Sequence, residues 1–123
     1  MARASATAEN KALAGIFAAS APTVSATSHW VSLHTADPGT TGASETSGGG
    51  YARIQFSVGT PSGGSCSNTG TMTFTTAGTT AITHIGTYDA VTAGNYEVGA
   101  ALASSVTAVT ITFAVGAISF SCS

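Results

Sequence analysis

The side chains best suited to chemistry in this sequence are three histidines and two aspartates. His29 and His34 lie close together, Asp37 follows His34, and Asp89 follows His84. Imidazole can act as a general base or bind a metal ion, and a carboxylate can orient it. On a strand, however, His29 and His34 point to opposite faces, because side chains alternate with a period of two. The pattern therefore predicts neither a catalytic pair nor a metal centre.

Other motifs that carry chemistry are incomplete. The sequence has no Gly-x-Ser-x-Gly elbow of the kind that presents a nucleophilic serine. The run Gly48–Gly50 lacks the following Lys-Ser/Thr of a phosphate-binding loop. Asp37 and Glu45 could bind calcium, but their spacing does not match an EF-hand. We therefore expect no enzyme, no cofactor and no metal ion.

The few charged residues say more about contacts within or between chains than the potential nucleophiles do about catalysis. Tyr51 and Arg53 share one strand face, and Arg53 could hold Asp37, Glu45 or a partner chain by a charge-assisted hydrogen bond. With three Lys and Arg and five Asp and Glu in the chain, such a pair is the first to test. For Asp37 the sequence Asp-Pro-Gly favours a turn in which the carboxylate caps its own backbone.

Charge is unusually low throughout the 123 residues, at 7%, against roughly 25% in ordinary soluble domains. The basic residues Arg3, Lys11 and Arg53 are scattered and the net charge is −2, which excludes an electrostatic footprint for nucleic acid. Weak mutual repulsion suits a chain that packs against copies of itself. The length fits a single domain.

Two apolar stretches could be taken for a signal sequence and a membrane-spanning segment. Their detailed sequences argue against both interpretations. The run Ala12–Ala19 is short for a signal sequence, and Glu9 and Lys11 interrupt its approach. The uncharged stretch Val98–Cys122 is long enough to span a bilayer. Within it, however, apolar and Thr residues alternate with the period of a half-buried strand. We therefore expect no membrane partner.

Residues 1–21 are predicted to form an N-terminal helical segment. The helix would run over Ala2–Ala19, and Pro22 would end it. Leu13, Ile16 and Phe17 would form one apolar stripe. A short Ala-rich helix is marginal alone in water, so the stripe must dock on the sheet or on a neighbouring subunit.

Residues 22–123 are predicted to form a β-domain. Alternating patterns separated by Gly, Pro, Asn and Ser predict about seven strands. This spacing is typical of an antiparallel β-sandwich or Greek-key barrel, so the whole chain is expected to be mainly β with one short N-terminal α-helix. The predicted strands are His29–Thr35, Tyr51–Val58, Thr71–Thr75, Ala81–Asp89, Asn95–Leu102, Val106–Val115 and Ala117–Cys122.

The two cysteines, Cys66 and Cys122, allow two interpretations. Both could face the core, Cys66 on condition that its strand runs unbroken through Asn68–Gly70 to Met72. They would then be two buried thiols, or they would form a disulfide within or between subunits.

The segment Leu33–Arg53, LHTADPGTTGASETSGGGYAR, resembles a family of small tailed-bacteriophage virion proteins, known as tail fibre or minor structural proteins. Three further similar segments follow in order: Ser67–Gly70 before a strand ending at Phe74, Ile82–Gly86 with Tyr88–Ala90, and Gly99–Leu102. The opening segment Ala8–Asn10 is also similar, so the likeness covers nearly the whole chain.

The resemblance implies a structural role on the virion surface, a β-sandwich-like body and self-association, with a trimer as the expected oligomer. The family label does not settle location, but the chain shows no long fibre region and no recognisable receptor-binding domain. We therefore expect a non-enzymatic capsid decoration or cement protein that binds the major capsid protein or other virion proteins. Alternatives are a minor tail or tail-fibre component and a carbohydrate-binding or adhesion module, whose contacts would be Trp30, Tyr51, Tyr88 and Tyr96. The expected subunit or shell contacts are Leu13, Ile16, Phe17, Asp37, Glu45, Tyr51 and Arg53.

Overall fold

The computed structural model describes residues 3–4, 28–60 and 62–121. These residues form nine β-strands and no helix. The prediction of a mainly β chain with antiparallel sheets is confirmed, and all seven predicted strands are present in shorter or shifted form. The strands are β1 (Arg3–Ala4), β2 (His29–His34), β3 (Ile54–Phe56), β4 (Ser65–Ser67), β5 (Met72–Thr75), β6 (Ile82–Tyr88), β7 (Tyr96–Val106), β8 (Thr110–Phe113) and β9 (Ser119–Ser121).

One antiparallel sheet of five strands organises the described residues. Its order is β1-β7-β6-β2-β3, and two separate ribbons pair β4 with β9 and β5 with β8. In β2, Val31 and Leu33 alternate with Ser32 and His34, yet all four are completely buried. Since successive side chains point to opposite faces, both faces of β2 must be covered.

The first face of the sheet carries the hydrophobic core. Val31 and Leu33 pack in one cluster with Ile85 of β6, which lies directly opposite Leu33. Met72 and Phe74 from β5 and Ile111 from β8 belong to the same cluster. The core therefore lies between the five-stranded sheet and the β5–β8 ribbon, and burying each large apolar side chain contributes about 1.5–3 kcal/mol.

The second face of the sheet is polar and aromatic. His34 lies opposite His84, Ser32 opposite Gly86, and Trp30 opposite Tyr88. The residues after β2 fold back over this face, because Thr35 N–H donates to Ser44 O (2.9 Å) and Thr46 N–H donates to Leu33 O (2.9 Å). We call residues 35–50 the covering loop.

The strand expected to continue from Cys66 to Met72 is interrupted, because β4 ends at Ser67 and β5 begins at Met72. Asn68 is 1% exposed, and its side-chain amide donates to Gly70 O (2.8 Å) and Ala114 O (2.9 Å). Its carbonyl oxygen accepts from Ile118 N–H (2.9 Å). Because a buried amide needs all of these partners, the chain leaves the strand here, and β4 and β5 join different ribbons.

The N-terminal prediction is wrong at its first residues. Arg3 and Ala4 form β1, which pairs with Gly99 and Val98 of β7, whereas the helix was expected to begin at Ala2. The remainder of the predicted helix, including Leu13, Ile16 and Phe17, lies outside the described residues.

Gly86 provides room for the buried side chains of the second face. A Cβ atom at Gly86 would lie 2.8 Å from His34 Nε2 and 3.0 Å from Ser32 Oγ. We predict that Gly86→Ala lowers the free energy of unfolding by about 1–3 kcal/mol, because these side chains cannot move apart without strain. Gly70→Ala is the matched control, since a Cβ there meets nothing within 4 Å. Equal effects of the two substitutions in urea unfolding would contradict this account.

Candidate functional site

The covering loop is anchored by the ion pair of Glu45 and Arg53. Arg53 Nε donates to Glu45 Oε1 at 2.8 Å, and Nη2 donates to Oε2 at 2.7 Å. The two side chains are only 9% (Arg53) and 23% (Glu45) exposed. This parallel, two-bond geometry is the strongest form of a carboxylate–guanidinium contact. Of the three partners considered for Arg53 from the sequence, the structure selects Glu45.

The same guanidinium also holds the loop between β6 and β7. Arg53 Nη1 donates to Ala90 O (3.0 Å) and to Ala93 O (2.7 Å). The Arg53 Cζ atom lies 3.4 Å from the centroid of the Tyr88 ring, a cation–π contact. Arg53 therefore joins the covering loop, the sheet and the β6–β7 loop at one point.

Tyr51 and Tyr88 supply two further anchors. Tyr51 O–H donates to Glu45 Oε1 (2.9 Å), and its oxygen accepts from Leu33 N–H (3.0 Å). Tyr88 O–H donates to Gly42 O (2.9 Å). Each tyrosine therefore fixes a different part of the loop to the sheet.

The charges of this anchor are stable near neutral pH. Burial alone would raise the pKa of Glu45, but hydrogen bonds from Arg53 and Tyr51 outweigh it and hold that pKa below its ordinary value. Burial alone would lower the pKa of Arg53, and the Glu45 carboxylate reverses this and raises it. Burial also raises the pKa of the Tyr51 hydroxyl, which therefore remains a donor.

A serine–histidine pair lies beneath the loop. Ser32 Oγ and His34 Nε2 are 2.8 Å apart, and His34 Nδ1 lies 2.7 Å from Ala43 O. A carbonyl can only accept, so Nδ1 carries the proton and Nε2 accepts from the Ser32 hydroxyl. Burial lowers the pKa of His34, which keeps the imidazole neutral.

This pair resembles the nucleophile and base of a hydrolase in its distances but not in its setting. Ser32 and His34 are both completely buried, and the His34 ring stacks on Tyr88 and meets Tyr96 edge-on. A catalytic serine must reach the substrate carbonyl. The arrangement is therefore a satisfied polar contact that positions the loop through Ala43.

The other residues singled out from the sequence are dispersed. Asp37 Oδ1 accepts from Gly39 N–H (2.8 Å), which confirms its predicted turn-capping role. His29 Nδ1 lies 2.7 Å from Glu97 Oε2, and His84 Nδ1 lies 2.8 Å from Thr83 Oγ1. Among the described residues, no group of three or more His, Cys, Asp or Glu is placed to hold a metal ion.

Sequence reasoning missed Ser32 and Glu97. The spacing of Ser32 and His34 on one strand face was a usable signal for their contact. Glu97 lies 68 residues from His29, and nothing local connects them. The strand register that places His34 opposite His84 was equally invisible from the sequence alone.

The disulfide that the sequence allows as one of two alternatives for Cys66 and Cys122 is not tested by the described residues. Cys66 is half-buried with a free thiol, and Cys122 lies outside them. In the part of the chain that the structure describes, no helix has the length and apolar character needed to cross a membrane.

A comparison with known families finds a match over almost the whole chain. The family described as "Podophage GP4 fiber I protein gp80" matches residues 3–121, which include the covering loop and its anchors. No curated protein matches the sequence.

We predict that Arg53→Ala lowers the free energy of unfolding by about 2–4 kcal/mol, because it leaves the Glu45 carboxylate partly buried without its cation. Arg53→Lys keeps the charge but loses the two-bond fork and should cost less, about 1–2 kcal/mol. Urea unfolding measures both. The exposed neighbour Gln55→Ala is the control and should change stability by less than about 0.5 kcal/mol. An Arg53→Ala variant as stable as this control would show that the anchor is dispensable.

We also predict that acidification destabilises the protein in two steps. The folded-state pKa of His34 is lowered from 6.5 and that of Glu45 from 4.5. As pH falls, each group therefore takes up its proton at a higher pH in the unfolded chain than in the folded protein. The stabilisation from each group is complete above its ordinary pKa and is lost as pH falls below it.

The free energy of unfolding measured against pH separates the two groups. His34→Gln should flatten the dependence that begins below pH 6.5, and Glu45→Gln should flatten the one that begins below pH 4.5. Curves that keep both slopes in both variants would contradict the assignment.

Proposed function

The chain belongs to the podophage GP4 fiber I protein gp80 family, and we propose that this phage virion structural protein is a non-enzymatic fibre subunit that contacts other virion subunits through its covering loop. The observation that carries the proposal is the anchoring of this loop. Residues 35–50 bring few apolar side chains to the sheet, yet hydrogen bonds at Gly42, Ala43 and Glu45 fix them in place. A surface that is already ordered loses little conformational entropy on binding.

The exposed part of the loop supplies the contact surface. Thr40, Thr41, Ala43 and Ser44 are exposed, as is Asp37. Glu45, Tyr51 and Arg53, predicted from the sequence as contact residues, have their polar groups engaged inside the domain. In this proposal they act as positioning residues, and their exposed neighbours touch the partner.

The family's description as a fibre protein supports a fibre subunit over the head decoration that we expected from a chain without a recognisable fibre region. The proposal also includes self-association, with a homotrimer as the expected state. Support comes from the low charge of the chain, 7% of its residues, since copies with few charges repel each other weakly. Head decoration remains the second candidate, because a domain with so few charged residues also suits a shell surface.

Location on the particle is testable by immunogold labelling of purified virions, viewed by electron microscopy. We predict gold at the tail. Gold spread over the head would replace the fibre proposal with decoration.

Contact through the covering loop is testable with charge substitutions. Thr41→Arg places a charge on the exposed loop and should reduce both trimer formation, measured by light scattering after size exclusion, and incorporation into particles. Thr107→Arg makes the same change at an exposed residue between β7 and β8 and should leave both unchanged. Normal assembly of Thr41→Arg would remove the loop from the proposed interface.

A further inference from the structure

A small apolar pocket lies at the end of the core face of the five-stranded sheet. Its volume is about 260 Å³, and apolar atoms make up almost all of its lining. Phe56, Val58 and Val98 contribute walls, and the hydrogen-bonded pair of His29 and Glu97 borders it. The pocket is separate from the covering loop and its anchors.

The size and lining favour a side chain over a free ligand. Pockets for drug-sized molecules occupy roughly 300–1,000 Å³ and contain several convergent polar groups. Here the volume is smaller, and the polar groups of His29 and Glu97 already bond to each other. One or two apolar side chains would fill such a space and remove its walls from water.

The described residues on both sides of residues 5–27 lie at this pocket. Ala4 in β1 lies opposite Val98, which lines the pocket. β2 begins at His29, which also lines it. Residues 5–27 therefore leave the described structure beside the pocket and rejoin it at the pocket border. Because both ends are already fixed there, the entropic cost of returning a part of this segment is small.

This segment carries Leu13, Ile16 and Phe17, which the sequence predicts to form one apolar stripe. Leu13 lies nine positions after Ala4, a reach of up to about 30 Å in extended chain, so the stripe can reach the pocket from β1 of the same chain. We propose that the pocket is the intramolecular docking site for this stripe and that Ile16 or Phe17 enters it. The inference does not depend on the proposed fibre role.

Cys66 provides a direct test, because its thiol is free and lines the pocket. In a Cys122→Ser background, the variants Phe17→Cys and Ile16→Cys would be oxidised at low protein concentration. A disulfide within one chain, seen by peptide mass spectrometry and as a monomer on a non-reducing gel, is the expected result for at least one of them. Two variants keep the test valid if either fails to fold.

Gly15→Cys is the matched control, since it places a thiol in the same segment but off the stripe. It should form the disulfide far more slowly, and adding Cys66→Ser should abolish the product in every variant. The proposal is overturned if neither stripe variant crosslinks, or if Gly15→Cys crosslinks equally fast. Crosslinks only between chains would also overturn it and identify a second copy as the occupant.

Discussion

Burial of both faces of one strand is the constraint on which this structure depends. β2 places Val31 and Leu33 towards an apolar core and Ser32 and His34 towards the opposite side, and all four are removed from water. The core side follows from hydrophobic burial. The opposite side has to be covered by a loop of Gly, Ser, Thr and Ala, which brings little apolar area. Its attachment therefore relies on hydrogen bonds and on the ion pair of Glu45 and Arg53.

The sequence predicts those features of the structure that depend on residues close together in the chain. Alternation located the strands, Asp37-Pro38-Gly39 indicated its own turn, and the shared face of Tyr51 and Arg53 suggested a partner such as Glu45. Glu45 lies only eight residues from Arg53, so a local argument could find it. The family resemblance from Leu33 to Arg53 covered the same stretch, and the family match confirms it.

The other side-chain contacts depend on the strand register, which no local sequence pattern determines. The stacking of His34 on Tyr88, the bond between His29 and Glu97, and the carbonyl contacts of Arg53 all join segments distant in sequence. The expected continuous strand from Cys66 to Met72 failed for a related reason. Asn68 finds its partners in Ala114 and Ile118, at the far end of the chain, and these bonds outweigh the β-propensity of its neighbours.

The joining of two loops by Arg53 also bears on how this surface can evolve. One guanidinium bonds to a side chain in the covering loop and to two backbone carbonyls in the β6–β7 loop. Because backbone carbonyls are present whatever the side chain, these two bonds do not depend on the side chains of Ala90 and Ala93. The positive φ of Ala93 (52°) still restricts which residues can replace it. The exposed side chains of the two loops include Thr40, Thr41 and Val91. The exposed side chains of this surface can therefore change while Arg53 maintains the shape of the backbone beneath them.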